Sequence, residues 1–571
     1  MALFLCLVLL ISALSVVFAA PEVKIGRTTI VGRDIPSLQQ EFFGGLVHFL
    51  HNSPHSIADT AIPAIPFAKP PVGSLRLKPP VFKDTYDEDT LNATQFGIAC
   101  LQFNTTLEES SEDCLTLNIY RPAALPPNAS LPVLVWVYGG GFDRRVDKGT
   151  SAMDASAIVG RSVQRGTPII YVSFNYRLGP LGFPQGREAE EKGALNLALK
   201  DELLALEWVN KHIDKFGGNK DKVTVGGVSS GAIMTAILFM HSSLEKISPR
   251  RTATPLTHRA SFRQHSWDQF VSSVPTCANL AGTDNTFDCL LRAKATDILK
   301  GVNASRADAI EGFPWDPTLD APGGLFPDYP SVLFKFGQFA RIPFISGTNM
   351  DEGTVFVDPT QNFTTNLVRH NIFRNLSTPF LETFEKKKFD NAVDRTLQLY
   401  PDDPSLGSPF GTGDNTFGLS PGFKRVSAIS GDVSYLSQRR MRQQTLADNP
   451  FSIVKSYGYL WKQGTIVTEI APEFGVLHGS DSHYFFNDTL VDTVTPGALE
   501  VGVALMDYFI SFIDSLDPND GKGVERPQWS VYTKHDPMIM QMQALNTSLI
   551  PDTFRKEQTD FINSLPDIFH H

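Results

Sequence analysis

The residues best placed to do chemistry are Gly227-Val228-Ser229-Ser230-Gly231, a serine flanked by glycines. Ahead of them Val223-Thr224-Val225 reads as a buried strand, and behind them the apolar run Ala232–Met240 reads as a helix. A serine at such a turn is held exposed at the top of a sheet, with glycines leaving room where side chains would collide. The five-residue pattern alone can be a turn with no chemistry, so the strand and helix carry the reading of Ser229 as a nucleophile. A hydroxyl attacks only when a histidine takes its proton and a buried carboxylate orients that histidine. Downstream, Asp351-Glu352-Gly353-Thr354 follows the strand-like Arg341–Gly347 and offers a carboxylate above a sheet. Further on, Gly475-Val476-Leu477-His478-Gly479 sets His478 between an apolar run and a glycine; His370, His483 and His535 lack that setting. The last requirement is a set of backbone N–H donors for a tetrahedral oxyanion. Tyr138-Gly139-Gly140-Gly141-Phe142 follows an apolar strand-like run and lets the backbone turn its amides inward, with the Ser230 amide completing the set.

These loops need a sheet beneath them. The first half alternates strand-like and helix-like blocks, which predicts an α/β fold with a large, mostly parallel sheet flanked by helices. Leu131–Tyr138 and Ile169–Asn175 are apolar, β-branched runs bounded by Pro, Gly or Asn. Ala194–Phe216 has helical spacing and is stopped by Gly217-Gly218. Pro496–Leu516 also reads as a helix, followed by an irregular tail. No repeat or linker divides residues 21–571, which read as one domain.

The 571 residues are 42% apolar and 19% charged, with a formal net charge of −11. That composition is globular, and the acidic balance argues against nucleic acid or an anionic membrane as partner. Met1–Ala20 has no charged side chain, an apolar core and a small-residue end, the pattern of a secretory signal cleaved after Ala19 or Ala20, although it lacks the usual basic start. A retained anchor is the competing reading; no other segment is long and apolar enough to span a bilayer. Sequons at Asn92, Asn104, Asn128, Asn303, Asn362, Asn375, Asn487 and Asn546 fit export. Of five cysteines, Cys6 leaves with the leader. Cys100, Cys114, Cys277 and Cys289 allow three pairings, and the two short-range pairs, which close small loops, are preferred. No metal-binding spacing occurs, and the chemistry requires no cofactor.

Taken together, these stretches resemble a secreted fungal member of the carboxylesterase/lipase family that includes the cholinesterases. The resemblance rests on Phe216–Gly231 around the serine and on Glu112-Asp113-Cys114-Leu115-Thr116-Leu117-Asn118-Ile119-Tyr120-Arg121-Pro122. It extends to Ile65–Gly73, Phe174–Gly179, Ala340–Thr354 and Gly475–Asp481. It implies the α/β-hydrolase fold, with Ser229 as nucleophile, Glu352 as acid and His478 as base. It also implies oxyanion donors at Gly140, Gly141 and Ser230, and the disulfides Cys100–Cys114 and Cys277–Cys289. The expected activity is hydrolysis of small-molecule or lipid carboxylic esters through an acyl-enzyme, with triacylglycerol lipase and a non-catalytic binding or adhesion protein as the alternatives.

Several features depart from that family. Val228 stands where the family carries Glu before the serine, and Gly226 replaces a bulkier residue. Leu46–Ala64 interrupts a segment that the family runs almost directly from Phe43-Gly44-Gly45 into Ile65-Pro66-Phe67, and reads as a translated intron. Ser242–Ser261 is polar and basic where the family has a core strand, and a faulty gene model is one explanation open there too. The first cysteine loop, Leu101–Asp113, is short and mostly polar, too small to be the amphipathic flap of a lipase, which favours an esterase.

Overall fold

The computed structural model describes residues 20–44, 65–144, 154–241, 258–307, 313–320, 323–369, 386–449 and 454–569. Outside them lie the expected leader apart from Ala20, Leu46–Ala64, residues 242–257, His370 and the sequon at Asn375.

The β-branched apolar runs become central strands because they are buried on both faces. Leu131–Val137 pairs in parallel with Ile170–Phe174 on one side and with Gly218–Gly227 on the other. Beyond Ile170–Phe174 the pairing turns antiparallel, through Thr116–Pro122, Gln40–Phe43 and Arg33–Ile35. Ile65–Pro66 also pairs with Thr116–Pro122 and completes a seven-stranded sheet. A second sheet of four strands runs in the order Phe344–Asn349, Ser456–Trp461, Met538–Met542, Ser548–Pro551, parallel except for the last pair.

The strands fall into two sheets, each with parallel pairs at its centre. Among the described residues no strand stands between Gly218–Gly227 and Phe344–Asn349. The described end of Ser242–Ser261 begins at His258 and enters a 3-10 turn, Ala260–Arg263. Helices Ser480–Phe486 and Ser230–Phe239 bring aromatic side chains into the gap instead. Trp136 of the first sheet stacks on Phe485 with centroids 5.1 Å apart, and Phe239 packs against Phe339 and Phe344. The tail is not irregular either: Met538–Met542 and Ser548–Pro551 are strands. Methionines give no β-branched signal, but four of the five residues Met538–Met542 are buried, so tertiary burial sets the strand.

Helix Leu197–His212 ends in the 3-10 turn Ile213–Phe216, with Gly217 at φ 83°. Ser230–Phe239 is apolar nearly all round and is buried almost throughout. Buried ion pairs account for two of the sequence blocks. Arg76 makes a forked pair with Glu112, and Arg177 makes one with Asp201 at 2.7 and 2.9 Å, while the Arg177 Nη1 donates to the carbonyls of Arg76 and Lys78. Losing one partner of such a pair strands a buried charge, at a cost of about 3–5 kcal/mol. Cys100–Cys114 and Cys277–Cys289 are the disulfides.

The register at Thr116–Pro122 bears on the interrupted segment. Phe43 lies opposite Ile119 and Ile65 opposite Leu117, so one position, beside Asn118, separates them. Gly44 fills it: a Cβ built there would meet the Asn118 Oδ1 at 2.5 Å. Residues 45–64 therefore leave and rejoin at adjacent places on one strand edge. A variant with Gly44 joined to Ile65 should keep wild-type activity and unfold in denaturant within about 1 kcal/mol of wild type, because the strand closes in register. Loss of soluble folded protein would show that residues 45–64 contribute to the core.

Candidate active site

Ser229 occupies the junction between strand Gly218–Gly227 and helix Ser230–Phe239, half-buried, at φ 55° and ψ −129°. An L-residue held in that region costs roughly 1–3 kcal/mol, and it persists only when the surroundings over-determine it. Glycines do so here. A Cβ on Gly231 would lie 2.2 Å from the Val137 carbonyl oxygen, and one on Gly227 2.8 Å from the same oxygen. A Cβ on Gly139 would lie 2.7 Å from the Ser229 Cβ. The turn, the strand beside it and the loop after that strand thus approach backbone to backbone, and any larger residue would prise them apart.

That loop brings Gly140 (φ 135°) and Gly141 (φ 65°) beside the serine. Among the described residues the amides of Gly140, Gly141 and Ser230 donate to no backbone carbonyl. Phe142, also at positive φ, accepts from the Gly179 amide at 2.9 Å, which fixes the far side of the loop.

The other arm comes from the second sheet. Glu352 follows Phe344–Asn349, and its Oε2 is hydrogen-bonded to Nδ1 of His478. Its Oε1 accepts from the Asn349 amide at 2.6 Å, so the carboxylate is held at both ends. Asp351, next to it, has a different task. Its Oδ1 accepts from the Ser408 hydroxyl and the Phe410 amide, and its Oδ2 from the Val476 amide. Asp351 and Val476 also exchange a backbone bond at 3.0 Å, so this carboxylate pins the His478 loop to the Glu352 loop. Burial pushes the Asp351 carboxyl up to about 6, against the three donors that lower it.

The glycine of Glu352-Gly353 matters too. A Cβ on Gly353 would meet the Ser427 carbonyl oxygen at 1.9 Å, so the helix starting at Pro421 packs directly on the loop that carries Glu352. That helix runs on through a π-helical turn, Asp432–Leu436, into Ser437–Asp448. From this turn Tyr435 reaches His478, ring centroids 4.6 Å apart, while Phe356 flanks the imidazole at 5.1 Å. Phe313 continues the aromatic wall from Phe356 to Gly141. Tyr435 had no signal in the sequence: only a helix wound one residue wider aims it at the site.

Val228 borders a cavity of about 90 Å³ that Tyr435, His478, Asn349 and Asp481 also line. A polar network survives there without a glutamate at 228: Asp481 accepts from the Tyr459 hydroxyl and from the Asn349 side chain. His483 pairs with Asp488 instead.

Residues 60–562 match the model of the carboxylesterase family. The chain belongs to that family. Lipase 1 of Geotrichum candidum is 32% identical over 549 residues, covering 86% of this chain and 90% of that protein. Secreted lipase 1 of Botryotinia fuckeliana is 32% identical over 549 residues, covering 88% and 89%. EstA of Aspergillus niger has a similar crystal structure, with a TM-score of 0.78 at 22% identity over 97% of this chain and 99% of that one. The fold is the α/β-hydrolase fold, and this carboxylesterase-family chain is an ester-cleaving serine hydrolase.

Gly139→Ala tests the close approach at the turn. The added methyl should displace Ser229 by some tenths of an ångström and lower activity about 100-fold, with far-UV circular dichroism unchanged. Undiminished activity would show that the loop and the turn are not in contact.

Proposed function

We propose that Ser229, His478 and Glu352 are the reacting serine, its base and the orienting acid of a secreted carboxylesterase. The observation that carries this reading is the His478–Glu352 hydrogen bond opposite a serine strained at the strand-to-helix turn. Ser229 Oγ attacks the ester carbonyl and gives its proton to His478 Nε2, and the tetrahedral oxyanion is met by the amides of Gly140, Gly141 and Ser230. His478 then protonates the leaving alcohol. Water, deprotonated by the same histidine, attacks the acyl-enzyme and releases the acid. Glu352, held by Asn349, keeps Nδ1 protonated and Nε2 toward the serine side.

The esterase reading is supported by the first disulfide loop. Leu101–Asp113 is folded on itself, with Leu101 donating to Ser111 and Thr105 bonded to Ser110, and Asn104 bonds to Asn303 rather than reaching the serine. A triacylglycerol lipase is the second reading, favoured by the names of the Geotrichum and Botryotinia relatives. Export is supported by the leader-like Met1–Ala20, two disulfides, exposed sequons such as Asn92 and Asn487, and the secreted Botryotinia relative. Among the described residues no helix is long and apolar enough to cross a membrane.

Ser229→Ala and His478→Ala should each lower kcat on a short-chain aryl ester by at least about 10⁴-fold, and Glu352→Gln by about 10²–10⁴-fold, all with unchanged thermal midpoints. Wild-type turnover in Ser229→Ala would overturn the assignment. Wild-type enzyme should show no jump in rate when its substrate passes the solubility limit. A sharp rise there, with preference for long-chain triglyceride, would make lipase the correct name.

A further inference from the structure

Residues 174–179 contribute no reacting group, yet they grip the glycine loop 138–142 at both ends. The Tyr176 hydroxyl donates to the Tyr138 carbonyl at 2.8 Å, and the Gly179 amide donates to the Phe142 carbonyl at 2.9 Å. The rings of Tyr138 and Tyr176 are buried and stacked, with centroids 4.3 Å apart and 17° between their planes. The Tyr138 hydroxyl returns a bond to the Tyr176 carbonyl at 3.3 Å. The gripping segment is itself fixed. Asn175 donates through its backbone amide to the Thr116 carbonyl and through its side chain to the Ile98 carbonyl, both at 2.9 Å. Arg177 is forked onto Asp201 and donates to it again through its backbone amide at 3.0 Å. Between the two grips lie Gly139, Gly140 and Gly141, whose peptide planes no Cβ restricts. A rotated plane there would offer a carbonyl oxygen where an oxyanion needs an N–H.

We propose that Tyr176 is a positioning residue for ester hydrolysis: its phenol fixes the Tyr138–Gly139 peptide and so aims the amides of Gly140 and Gly141 at the tetrahedral oxyanion. The proposal rests on the reading of Ser229 as nucleophile and of those amides as oxyanion donors. The Tyr138 carbonyl is a sensitive place to hold. A Cβ on Gly231 would lie 2.4 Å from its oxygen, so that oxygen rests on the backbone of the serine turn. A Cβ on Gly139, the next residue, would lie 2.7 Å from the Ser229 Cβ. The carbonyl is therefore held between the serine turn and the phenol. The first donor amide, that of Gly140, belongs to the very next peptide unit. Without the phenol the Tyr138 oxygen loses a donor, and the glycines lose the restraint at their leading end while Gly179 still holds the trailing end. The loss falls on the charged intermediate more than on ester binding, because a ground-state carbonyl asks less of those amides than an oxyanion does.

Tyr176→Phe keeps the stacked ring and deletes only the hydroxyl. Removing one oxyanion donor outright lowers kcat about 10²–10³-fold, so misaiming two of them implies a fall of about 10-fold or more, with KM changed less than about 3-fold. A trifluoromethyl ketone reads the same amides directly. Ser229 Oγ adds to its carbonyl carbon, the serine proton passes to His478, and the former carbonyl oxygen becomes an anion lodged at the amides. Its inhibition constant should rise in Tyr176→Phe by about the factor by which kcat/KM falls. Placing 4-aminophenylalanine at position 176 puts an N–H donor where the hydroxyl stood and should restore most of both. Titration with a serine-directed phosphonylating inhibitor normalises every rate to competent sites, so partial unfolding cannot imitate the result. Wild-type kcat per titrated site and wild-type inhibition by the ketone in Tyr176→Phe overturn the proposal, while a dead Ser229→Ala leaves the nucleophile reading intact. A loss that 4-aminophenylalanine does not repair overturns it too. Activity surviving in Ser229→Ala would remove the nucleophile reading and the proposal with it.

Discussion

The constraint on which the rest of the structure depends is the backbone approach around Ser229. The Val137 carbonyl would lie 2.2 Å from a Cβ on Gly231 and 2.8 Å from one on Gly227. Strand, helix and loop can therefore close on one another only where side chains are missing. This packing holds the serine at φ 55°, next to the amides of Gly140, Gly141 and Ser230, which among the described residues donate to no backbone carbonyl. Ser230–Phe239 is apolar on nearly every face because it is wedged between the sheet and the chain leading to Phe344–Asn349; the Ala340 amide donates to the Phe239 carbonyl at 2.8 Å.

The second sheet has to deliver His478 to that fixed point. It does so through two adjacent carboxylates with separate duties. Glu352 faces His478, while Asp351 spends both oxygens on loop amides and a hydroxyl. Gly353 lets the helix from Pro421 press on the pair, and the same helix carries Tyr435 to the imidazole. The two sheets share no strand pairing among the described residues, so their relative position depends on aromatic contacts such as Trp136 on Phe485. A strand ladder fixes register by many hydrogen bonds; packed rings fix it by shape and apolar burial.

Much of this was legible in residue types and spacing. The turn at Ser229 announces itself by a β-branched strand, paired glycines and an apolar helix, all local signals. His478 and Glu352 stand in loops more than a hundred residues away, and order along the chain narrowed them without deciding between Asp351 and Glu352. In the structure Glu352 bonds His478, while Asp351 bonds the Ser408 hydroxyl and two loop amides. Tyr435 was invisible because its place depends on a local change of helical pitch, and a π-turn has no residue pattern of its own. The tail strands were missed because Met538–Met542 lacks β-branched alternation and is shaped by its neighbours. The buried Arg439 and Arg440, both paired with Asp552, likewise look like an exposed helix face until the distant carboxylate is brought to them.

The account stands or falls on which oxygen becomes covalently bonded during turnover. The most direct measurement is mass-spectrometric location of the group left by a phosphonylating ester analogue, in wild type and in His478→Ala. The account predicts one modification per molecule, on Ser229, formed rapidly in wild type and at least about 100-fold more slowly without the histidine. A label on any other residue, or labelling of Ser229 at an equal rate in both proteins, would contradict it.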